Sequence, residues 1–200
     1  MLQDEPEKIS IIMIGDTSVG KSTLMKKFIT GNFSDSLAPT LGVELYKKEV
    51  KINDKQYLYR IWDTCGQERF RSLSKSYFRN SDGIMLLFDI SSMSSFQNLN
   101  SWFTSIKDSG CDDIPLVLVA AKCDLENNVA DEKINQFKEQ NKIILNFFKC
   151  SAKENIGIEE PFIELAKEII KHFKNKQRSN SKIIIKKSKS KEGKSKKRWC

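Results

Sequence analysis

Hydrophobic and polar positions follow two different periods along this chain. Short apolar runs bounded by polar and turn-forming residues predict strands near 9–14, 43–52, 56–62, 83–90, 115–121 and 143–149. Between these runs, apolar residues recur every three or four positions, which predicts helices near 21–30, 68–80, 93–108, 131–139 and 158–173. Strands that alternate with helices are typical of an α/β fold. We therefore predict a six-stranded, mostly parallel sheet flanked by five helices.

One pair of neighbouring strands is the exception to the parallel arrangement. Asn53 and Asp54 separate the second and third strands, and this short connection predicts a hairpin with one antiparallel strand. In sheets of this class, ligands bind at the carboxyl ends of the strands. We therefore expect functional residues in the loops after the first, third, fifth and sixth strands.

The loop after the first strand carries the most specific motif. Residues 15–22, Gly-Asp-Thr-Ser-Val-Gly-Lys-Ser, fit G-x-x-x-x-G-K-[ST], in which backbone N–H groups surround phosphates and the lysine reaches the β- and γ-phosphates. Two glycines permit the tight turn and the close approach, and the serine starts a helix whose positive end favours an anion. The expected nucleotide contacts here are Gly15, Asp16, Thr17, Ser18, Val19, Gly20, Lys21, Ser22 and Thr23. The motif predicts a P-loop NTPase, and the alternative is a glycine-rich turn with a solvated lysine.

A second group of residues lies before the second strand and after the third. Asp63 leaves the third strand where, with the Ser22 hydroxyl, it can hold Mg²⁺, and Thr40 can complete the metal shell. Gly66 can give its backbone N–H to a γ-phosphate, a contact that hydrolysis removes. Gln67 can orient the attacking water, so it is the candidate for catalysis. The alternatives are a strand-end cap at 63, a surface polar residue at 67 and an ordinary loop threonine at 40.

Two loops further along the chain predict which base is bound. They follow the fifth and sixth strands and supply Lys122, Asp124, Ser151, Ala152 and Lys153. The Asp124 carboxylate can accept two N–H bonds from the N1 and N2 edge of guanine, whereas adenine offers no such pair of donors. The stems of Lys122 and Lys153, with the ring of Phe33, can pack on the faces of the base. We therefore predict that GTP or GDP is bound with Mg²⁺.

The five loops resemble, in order and spacing, those of the Ras superfamily of small GTPases, and most closely the Rab branch. The resemblance covers residues 9–173 and is carried by Ile61-Trp-Asp-Thr-Cys-Gly-Gln-Glu-Arg-Phe-Arg-Ser-Leu73, Tyr77-Phe78-Arg79, Leu41-Gly42-Val43-Glu44 and Leu87-Phe88-Asp89-Ile90. It implies a regulator of vesicle traffic that is on with GTP, off with GDP, and slow to hydrolyse GTP alone. It also implies effector proteins, an exchange factor and a GTPase-activating protein, the last supplying an arginine in trans.

The same resemblance implies a surface for effectors. Leu45, Trp62 and Tyr77 match in position the three Rab residues that contact effectors. Exposed aromatic side chains there would be unfavourable without a partner. The whole expected effector surface comprises Leu41, Gly42, Val43, Leu45, Trp62 and Tyr77.

Two positions depart from the family pattern. Ala121 stands where the family has an Asn before Lys-x-Asp, so an amide that touches the base and ties this loop to the phosphate loop is missing. The loss of one such buried hydrogen bond costs roughly 1–3 kcal/mol, or about 5- to 150-fold in affinity. We therefore predict faster nucleotide exchange than in the relatives. Cys65 replaces the usual Ala; it is small enough to fit, although its bulkier atom beside Gly66 can slow rearrangement of that segment.

The positive charge of the chain is concentrated at its C-terminal end. The 200 residues include 34 Lys or Arg and 26 Asp or Glu, but residues 174–200 hold 12 of the bases and one of the acids. The remainder is mildly acidic, which argues against a nucleic-acid groove. We predict a short extension over 1–8, a GTPase domain over 9–173 and a disordered polybasic tail over 174–200.

This tail predicts attachment to a membrane. The dense run Lys186 to Arg198 would attract an anionic leaflet by about 1 kcal/mol per basic residue near it. Cys200 resembles a Rab prenylation acceptor, although Rabs usually end in two cysteines, and one lipid with a basic patch gives reversible anchoring. Because no signal peptide or spanning run is found, we expect a cytoplasmic protein on the cytosolic face of an endomembrane or the plasma membrane. The alternatives are an unmodified solvated tail and a nuclear-import-like basic run.

Three other functions are open on the sequence alone. The chain could be a nucleotide-binding scaffold that has lost cycling through Ala121 and Cys65, although the residues that would bind Mg²⁺ and orient water are retained. It could bind RNA through its tail, with a steep salt dependence. An ATP-using enzyme is disfavoured by Asp124. The five scattered cysteines suggest neither a zinc site nor a redox motif.

Overall fold

The computed structural model describes residues 6–34, 38–66 and 77–176, and at its centre lies one sheet of six strands. The strands are β1 (Glu7–Ile14), β2 (Val43–Ile52), β3 (Lys55–Thr64), β4 (Gly83–Asp89), β5 (Leu116–Ala121) and β6 (Ile144–Cys150). They lie in the order β2-β3-β1-β4-β5-β6, and only the β2–β3 pairing within this sheet is antiparallel. The predicted mixed sheet, with its single hairpin, is confirmed.

Helices cover both faces of this sheet. They are α1 (Lys21–Thr30), α2 (Met93–Gln97), α3 (Leu99–Asp108), α4 (Asp131–Gln140) and α5 (160–176). Of the helix predicted over 68–80, residues 77–79 are helical and 68–76 lie outside the described residues. The helix predicted over 93–108 is two helices that meet at Asn98. There the N–H of Ser101 bonds to the Asn98 carbonyl at 3.0 Å, a three-residue spacing that interrupts the α-helical pattern.

The side chains of β1 explain why the molecule has three layers. Ile11 and Met13 join a buried cluster with α1 and α5, whereas Ile12 and Ile14 join a second cluster with α2, α3 and α4. Successive strand residues point to opposite faces of a sheet, so a continuous apolar run has both faces covered. Apolar residues at helical spacing in α3 and α5 are buried accordingly, except that Phe173 near the end of α5 is 40% exposed.

One pair of stacked rings fastens α1 to α5. The rings of Phe28 and Phe162 lie with their centroids 4.0 Å apart and their planes 8° from parallel. Both side chains are buried, and Phe162 has no exposed surface. This contact holds the helix that follows the phosphate loop against the last helix of the domain.

Several predicted boundaries need correction. The third strand, predicted over 56–62, runs to Thr64, so Asp63 lies within β3 and pairs with Met13 and Glu44. β1 begins at Glu7 rather than 9, because residues 7 and 8 pair with Tyr57 and Leu58 of β3. The last helix continues to residue 176, so the first three residues of the predicted tail are helical, and Lys176 pairs with Asp113 at 2.9 Å. Residues 177–200, including Cys200, lie outside the described residues. Within the described ranges, no helix combines the length and apolarity needed to cross a bilayer.

The turn that leaves β1 requires a glycine. Gly15 has a φ of 139°, a conformation that side chains rarely adopt. A Cβ at this position would overlap the backbone carbonyl oxygen of Leu87 in β4. The close contact between the two backbones therefore sets where the loop after β1 emerges from the carboxyl edge of the sheet.

From the packing of α5 we expect two substitutions in this helix to change the free energy of unfolding by different amounts. Phe162→Ala removes the ring stacked on Phe28 and leaves a cavity, so the free energy of unfolding should fall by about 3–5 kcal/mol. Phe173→Ala, on the same helix but 40% exposed, should lose less than about 1 kcal/mol. Urea unfolding at a fixed, saturating nucleotide concentration measures both. Equal losses in the two variants would contradict the assignment of the Phe28–Phe162 contact to the core.

Candidate functional site

A cavity of about 480 Å³ opens at the carboxyl edge of the sheet. Its walls come from the loops after β1, β3, β5 and β6 and from the loop between α1 and β2, so the five predicted loops meet. The predicted nucleotide contacts on its wall are Thr17, Ser18, Gly20, Lys21, Ser22, Thr23, Phe33, Thr40, Gly66, Lys122, Asp124, Ala152 and Lys153. The volume and the convergence of polar groups are typical of a small-molecule site.

The phosphate loop, residues 15–22, is folded around one lysine. Lys21 is 5% exposed, and its Nζ donates hydrogen bonds to the backbone carbonyls of Gly15 at 2.9 Å and Asp16 at 2.7 Å. Burial lowers the pKa of Lys21 to about 8, although the nearby carboxylate of Asp63 opposes the shift. Gly20, with a φ of 107°, is the N-cap residue of α1. The first N–H groups of α1 therefore face the cavity beside a buried cation.

Three oxygen-bearing side chains from separate segments meet beside this loop. Ser22 Oγ donates to Asp63 Oδ2 at 2.5 Å, and Thr40 Oγ1 lies 2.8 Å from Ser22 Oγ and 3.3 Å from the same carboxylate oxygen. Asp63 is 1% exposed, and its Oδ1 has no hydrogen-bond partner within the described part of the chain. Burial raises the pKa of this carboxyl, although the Ser22 hydrogen bond opposes the shift.

This set of atoms fits a magnesium ion. Mg²⁺ prefers oxygen ligands and is usually held by one or two carboxylates together with phosphate and water. Two hydroxyls and a carboxylate already converge here, and the unpartnered Oδ1 of Asp63 is a buried acceptor with unused capacity. The three residues predicted as metal ligands, Ser22, Thr40 and Asp63, are therefore brought together.

The segment after β3 packs tightly on the phosphate loop. The N–H of Cys65 bonds to the carbonyl of Gly42 at 2.8 Å, which joins this segment to the one before β2. A Cβ on Gly66 would overlap backbone atoms of Asp16 and Thr17, so only glycine allows this approach. Gln67, the predicted catalytic residue, lies outside the described residues.

In the loop after β5, where the base of the nucleotide is expected, Lys122 forms an ion pair. Its Nζ lies 2.7 Å from Asp89 Oδ2, and Ser91 donates two hydrogen bonds to Asp89 Oδ1, at 2.9 Å from its backbone N–H and 2.6 Å from its hydroxyl. Burial alone would raise the pKa of Asp89, but the bonds from Lys122 and Ser91 outweigh it and the pKa is lowered. Asp124 is exposed at the cavity and accessible to a ligand. Ala121 is 4% exposed and lines the cavity without adding a polar group.

Four predicted contacts lie behind the cavity wall rather than on it. Gly15 shapes the turn from β1, and Val19 is buried in the core. Ser151 is fully buried, and its Oγ accepts the N–H of Glu154 at 3.0 Å, so it shapes the loop after β6. The side chain of Asp16 is directed toward α3, where its carboxylate accepts the indole N–H of Trp102.

Three residues outside the predicted set also line or support the cavity. Leu125 lines the cavity and is 46% exposed; its position directly after Asp124 was the available signal. Asn98 and Trp102 bond to the carboxylate of Asp16 at 2.6 and 2.8 Å. No signal in the sequence pointed to them, because Trp102 fits the apolar stripe of α3 and Asn98 has no motif around it.

The predicted effector surface lies beside the cavity, with one correction. Leu41 is 88% exposed and Leu45 37% exposed, and Leu45 pairs with Trp62 across the β2–β3 hairpin. Trp62 and Tyr77, expected as exposed aromatics, are half-buried, because their rings pack together with centroids 5.2 Å apart. The Trp62 Nε1–H is buried with no hydrogen-bond partner among the described residues.

Comparisons with known proteins agree with this arrangement. The Ras family model matches residues 10–171. The relatives include the Ras-related protein Rab-2B of Dictyostelium discoideum, 38% identical over 82% of this chain and 81% of the relative. The GTP-binding protein ypt2 of Schizosaccharomyces pombe is 34% identical over 82% of both chains. The Ras-related protein Rab-10 of Diplobatis ommata is 34% identical over 88% of both chains.

The ion pair between Lys122 and Asp89 should make the stability of the protein depend on pH. Asp89→Asn should lower the free energy of unfolding at pH 7 by about 1–3 kcal/mol, because Lys122 loses a charged partner. The folded-state pKa of Asp89 lies below the unfolded value of 3.8, so its stabilisation is present above about pH 4 and disappears as the pH falls further. Denaturant unfolding at a series of pH values from 7 to 3 should show the free energies of unfolding of the native chain and of Asp89→Asn converging as the pH falls. Asp54→Asn, which removes a carboxylate from an exposed ion pair, is the control. A difference in free energy of unfolding between the native chain and Asp89→Asn that stays constant down to pH 3 would contradict this assignment.

Proposed function

Because the chain belongs to the Ras family of small GTPases, we propose that it is a Rab-like switch that regulates membrane traffic. Ras-family GTPases hydrolyse GTP and bind guanine nucleotides with Mg²⁺, together with regulatory proteins. The proposal is supported chiefly by the hydrogen-bonded contact among the side chains of Ser22, Thr40 and Asp63. It joins the two segments that would change between states to the loop that would hold the phosphates.

In this proposal each part of the cavity binds one part of the nucleotide. The phosphate loop and the N-terminus of α1 hold the phosphates, with Lys21 as the buried cation. Asp124 selects guanine, and the stems of Lys122 and Lys153 with the ring of Phe33 pack on the base. Bound Mg²⁺ would neutralise phosphate charge and would be held by Ser22, Thr40 and Asp63.

The proposed switch follows from which contacts need the third phosphate. The segments of Thr40 and Gly66 are tied to the phosphate loop through a hydroxyl contact and a close backbone approach. A γ-phosphate adds a partner for both, and hydrolysis removes it, so the two segments are held in one state and released in the other. Gln67 would orient the attacking water. Intrinsic hydrolysis should be slow, because a partner's arginine is needed to stabilise the transition-state charge.

The proposed effector surface is continuous with these segments. Leu41, Gly42 and Val43 follow Thr40 directly, and Trp62 precedes Asp63. The packed rings of Trp62 and Tyr77 beside the exposed Leu45 form an apolar patch whose shape depends on the same two segments. A partner that binds this patch would therefore distinguish the GTP state from the GDP state. Its chemistry should include an apolar face that covers Leu41 and Leu45.

The geometry supports fast nucleotide exchange as part of this function. A Cβ placed on Gly20 would lie 3.5 Å from the Cβ of Ala121, so the loop after β5 and the phosphate loop are neighbours. An asparagine amide at 121 would be within reach of both the phosphate loop and the ligand, whereas alanine provides no hydrogen bond to either. We infer that this chain releases nucleotide faster than relatives that carry the amide.

Replacing the alanine tests that inference. Ala121→Asn should slow GDP release by about 5- to 150-fold, the effect of regaining roughly 1–3 kcal/mol from one buried hydrogen bond. Stopped-flow release of a fluorescent GDP analogue, with Mg²⁺ present, measures the rate. Ala130→Asn adds the same amide at an exposed position directly before α4 and should leave the rate unchanged. Equal GDP release rates for Ala121→Asn and the native chain would contradict the inference.

Membrane attachment is the remaining part of the proposal. The 12 basic residues of 174–200 would be drawn to an anionic cytosolic leaflet, and a prenyl group on Cys200 would make the association stable but reversible. The traffic role depends on this attachment, because the switch must act on a membrane surface.

A single cysteine change tests it. Full-length protein with a fluorescent tag at its N-terminus, expressed in eukaryotic cells, should lie on internal membranes or the plasma membrane, and Cys200→Ser should disperse it. Ser195→Ala, in the same tail, should behave as the native chain does. Membrane-bound native protein in which mass spectrometry finds Cys200 unmodified would overturn the lipid assignment. Accumulation of the native chain in the nucleus would favour an import signal instead.

A further inference from the structure

The carboxylate of Asp16 lies in the phosphate loop but does not face the phosphate side. Its Oδ1 accepts the indole N–H of Trp102 at 2.8 Å, and its Oδ2 accepts an amide N–H of Asn98 at 2.6 Å. Both donors come from the junction of α2 and α3, more than eighty residues away in the chain. A carboxylate free to turn would repel a bound triphosphate, and the two donors hold this one away from it.

The backbone of the same residue supports two other parts of the site. Its carbonyl accepts a hydrogen bond from Lys21 Nζ at 2.7 Å, and a Cβ on Gly66 would overlap its carbonyl group. Asp16 therefore contacts the buried lysine, the segment after β3 and the α2–α3 junction at once. A shift of its backbone would change the position of both the lysine and Gly66.

We propose that Asp16 is a positioning residue for GTP hydrolysis, and that Asn98 and Trp102 fix its place. The two side-chain hydrogen bonds set the position of the phosphate loop against Gly66, the residue that directly precedes Gln67 in the chain. Trp102 is 1% exposed and acts as the fixed anchor, whereas Asn98 is exposed. A partner that draws the Asn98 amide away would slow hydrolysis without touching the nucleotide.

The test places a negative charge against Asp16. Asn98→Asp removes a donor and sets two carboxylates in contact, so single-turnover GTP hydrolysis should fall about 10-fold or more. Asn100→Asp adds the same charge two positions along, where the native amide bonds to the carbonyl of Gln97 at 3.5 Å, and should hydrolyse GTP at the native rate. Asn98→Ala and Trp102→Phe, which each lose one donor without adding charge, should show smaller losses of the same kind.

Exchanging the two side chains separates positioning from general stability. In the double variant Asp16→Asn with Asn98→Asp, a carboxylate and an amide again face each other in reversed order, and the indole N–H still has an oxygen to bond. This variant should recover most of the hydrolysis rate lost in Asn98→Asp. Melting temperature and GDP release are measured in parallel, and neither should follow the hydrolysis rate across the series.

Three results would overturn the proposal. They are native hydrolysis in both Asn98→Asp and Asn98→Ala, equal losses in Asn98→Asp and Asn100→Asp, or a double variant as slow as Asn98→Asp alone. If Asn98→Asp fails to fold, Asn98→Ala decides, assayed well below its melting temperature: native hydrolysis contradicts the proposal, and slowed hydrolysis supports it.

Discussion

The contact of Ser22 with Asp63 and Thr40 is the constraint on which the rest of the site depends. Ser22 lies in the first turn of α1, Thr40 precedes β2, and Asp63 is the last residue but one of β3, so three segments far apart in sequence meet at a few oxygen atoms. A buried carboxylate with one unpartnered oxygen is unfavourable unless a cation or a donor satisfies it. The arrangement therefore favours a bound metal, and through it a phosphate.

The fold provides the rigidity that this contact needs. The apolar strands β1, β4 and β5 are covered on both faces, so their carboxyl ends are fixed points from which the loops extend. The Phe28–Phe162 stack holds α1, and the hydrogen bonds from Asn98 and Trp102 to Asp16 hold the loop before it. The phosphate loop is thus supported from both sides of the sheet. Thr40 contacts it through the Ser22 hydroxyl, and Gly66 lies directly against the backbone of Asp16 and Thr17.

The features predicted correctly from sequence are those with a local signal. Six apolar runs, a short turn and a glycine-lysine motif gave the strands, the hairpin and the phosphate loop. The features that were missed depend on packing between distant segments. Trp102 fits an apolar stripe, and nothing local says that its N–H reaches Asp16. Trp62 and Tyr77 were expected to be exposed because position alone does not reveal that two rings pack on each other, and the break at Asn98 lies inside an uninterrupted helical pattern.

The most direct test of the central claim is nucleotide binding by the purified 200-residue chain. Calorimetry measures the affinities for GTP and ATP, with Mg²⁺ present and after its chelation. We expect a large preference for GTP, because the Asp124 carboxylate would accept two donors that guanine offers and adenine lacks. We also expect a marked loss of GTP affinity on chelation, because Ser22, Thr40 and Asp63 would hold the ion beside the phosphates. Equal affinity for GTP and ATP, or GTP binding that is indifferent to Mg²⁺, would contradict it.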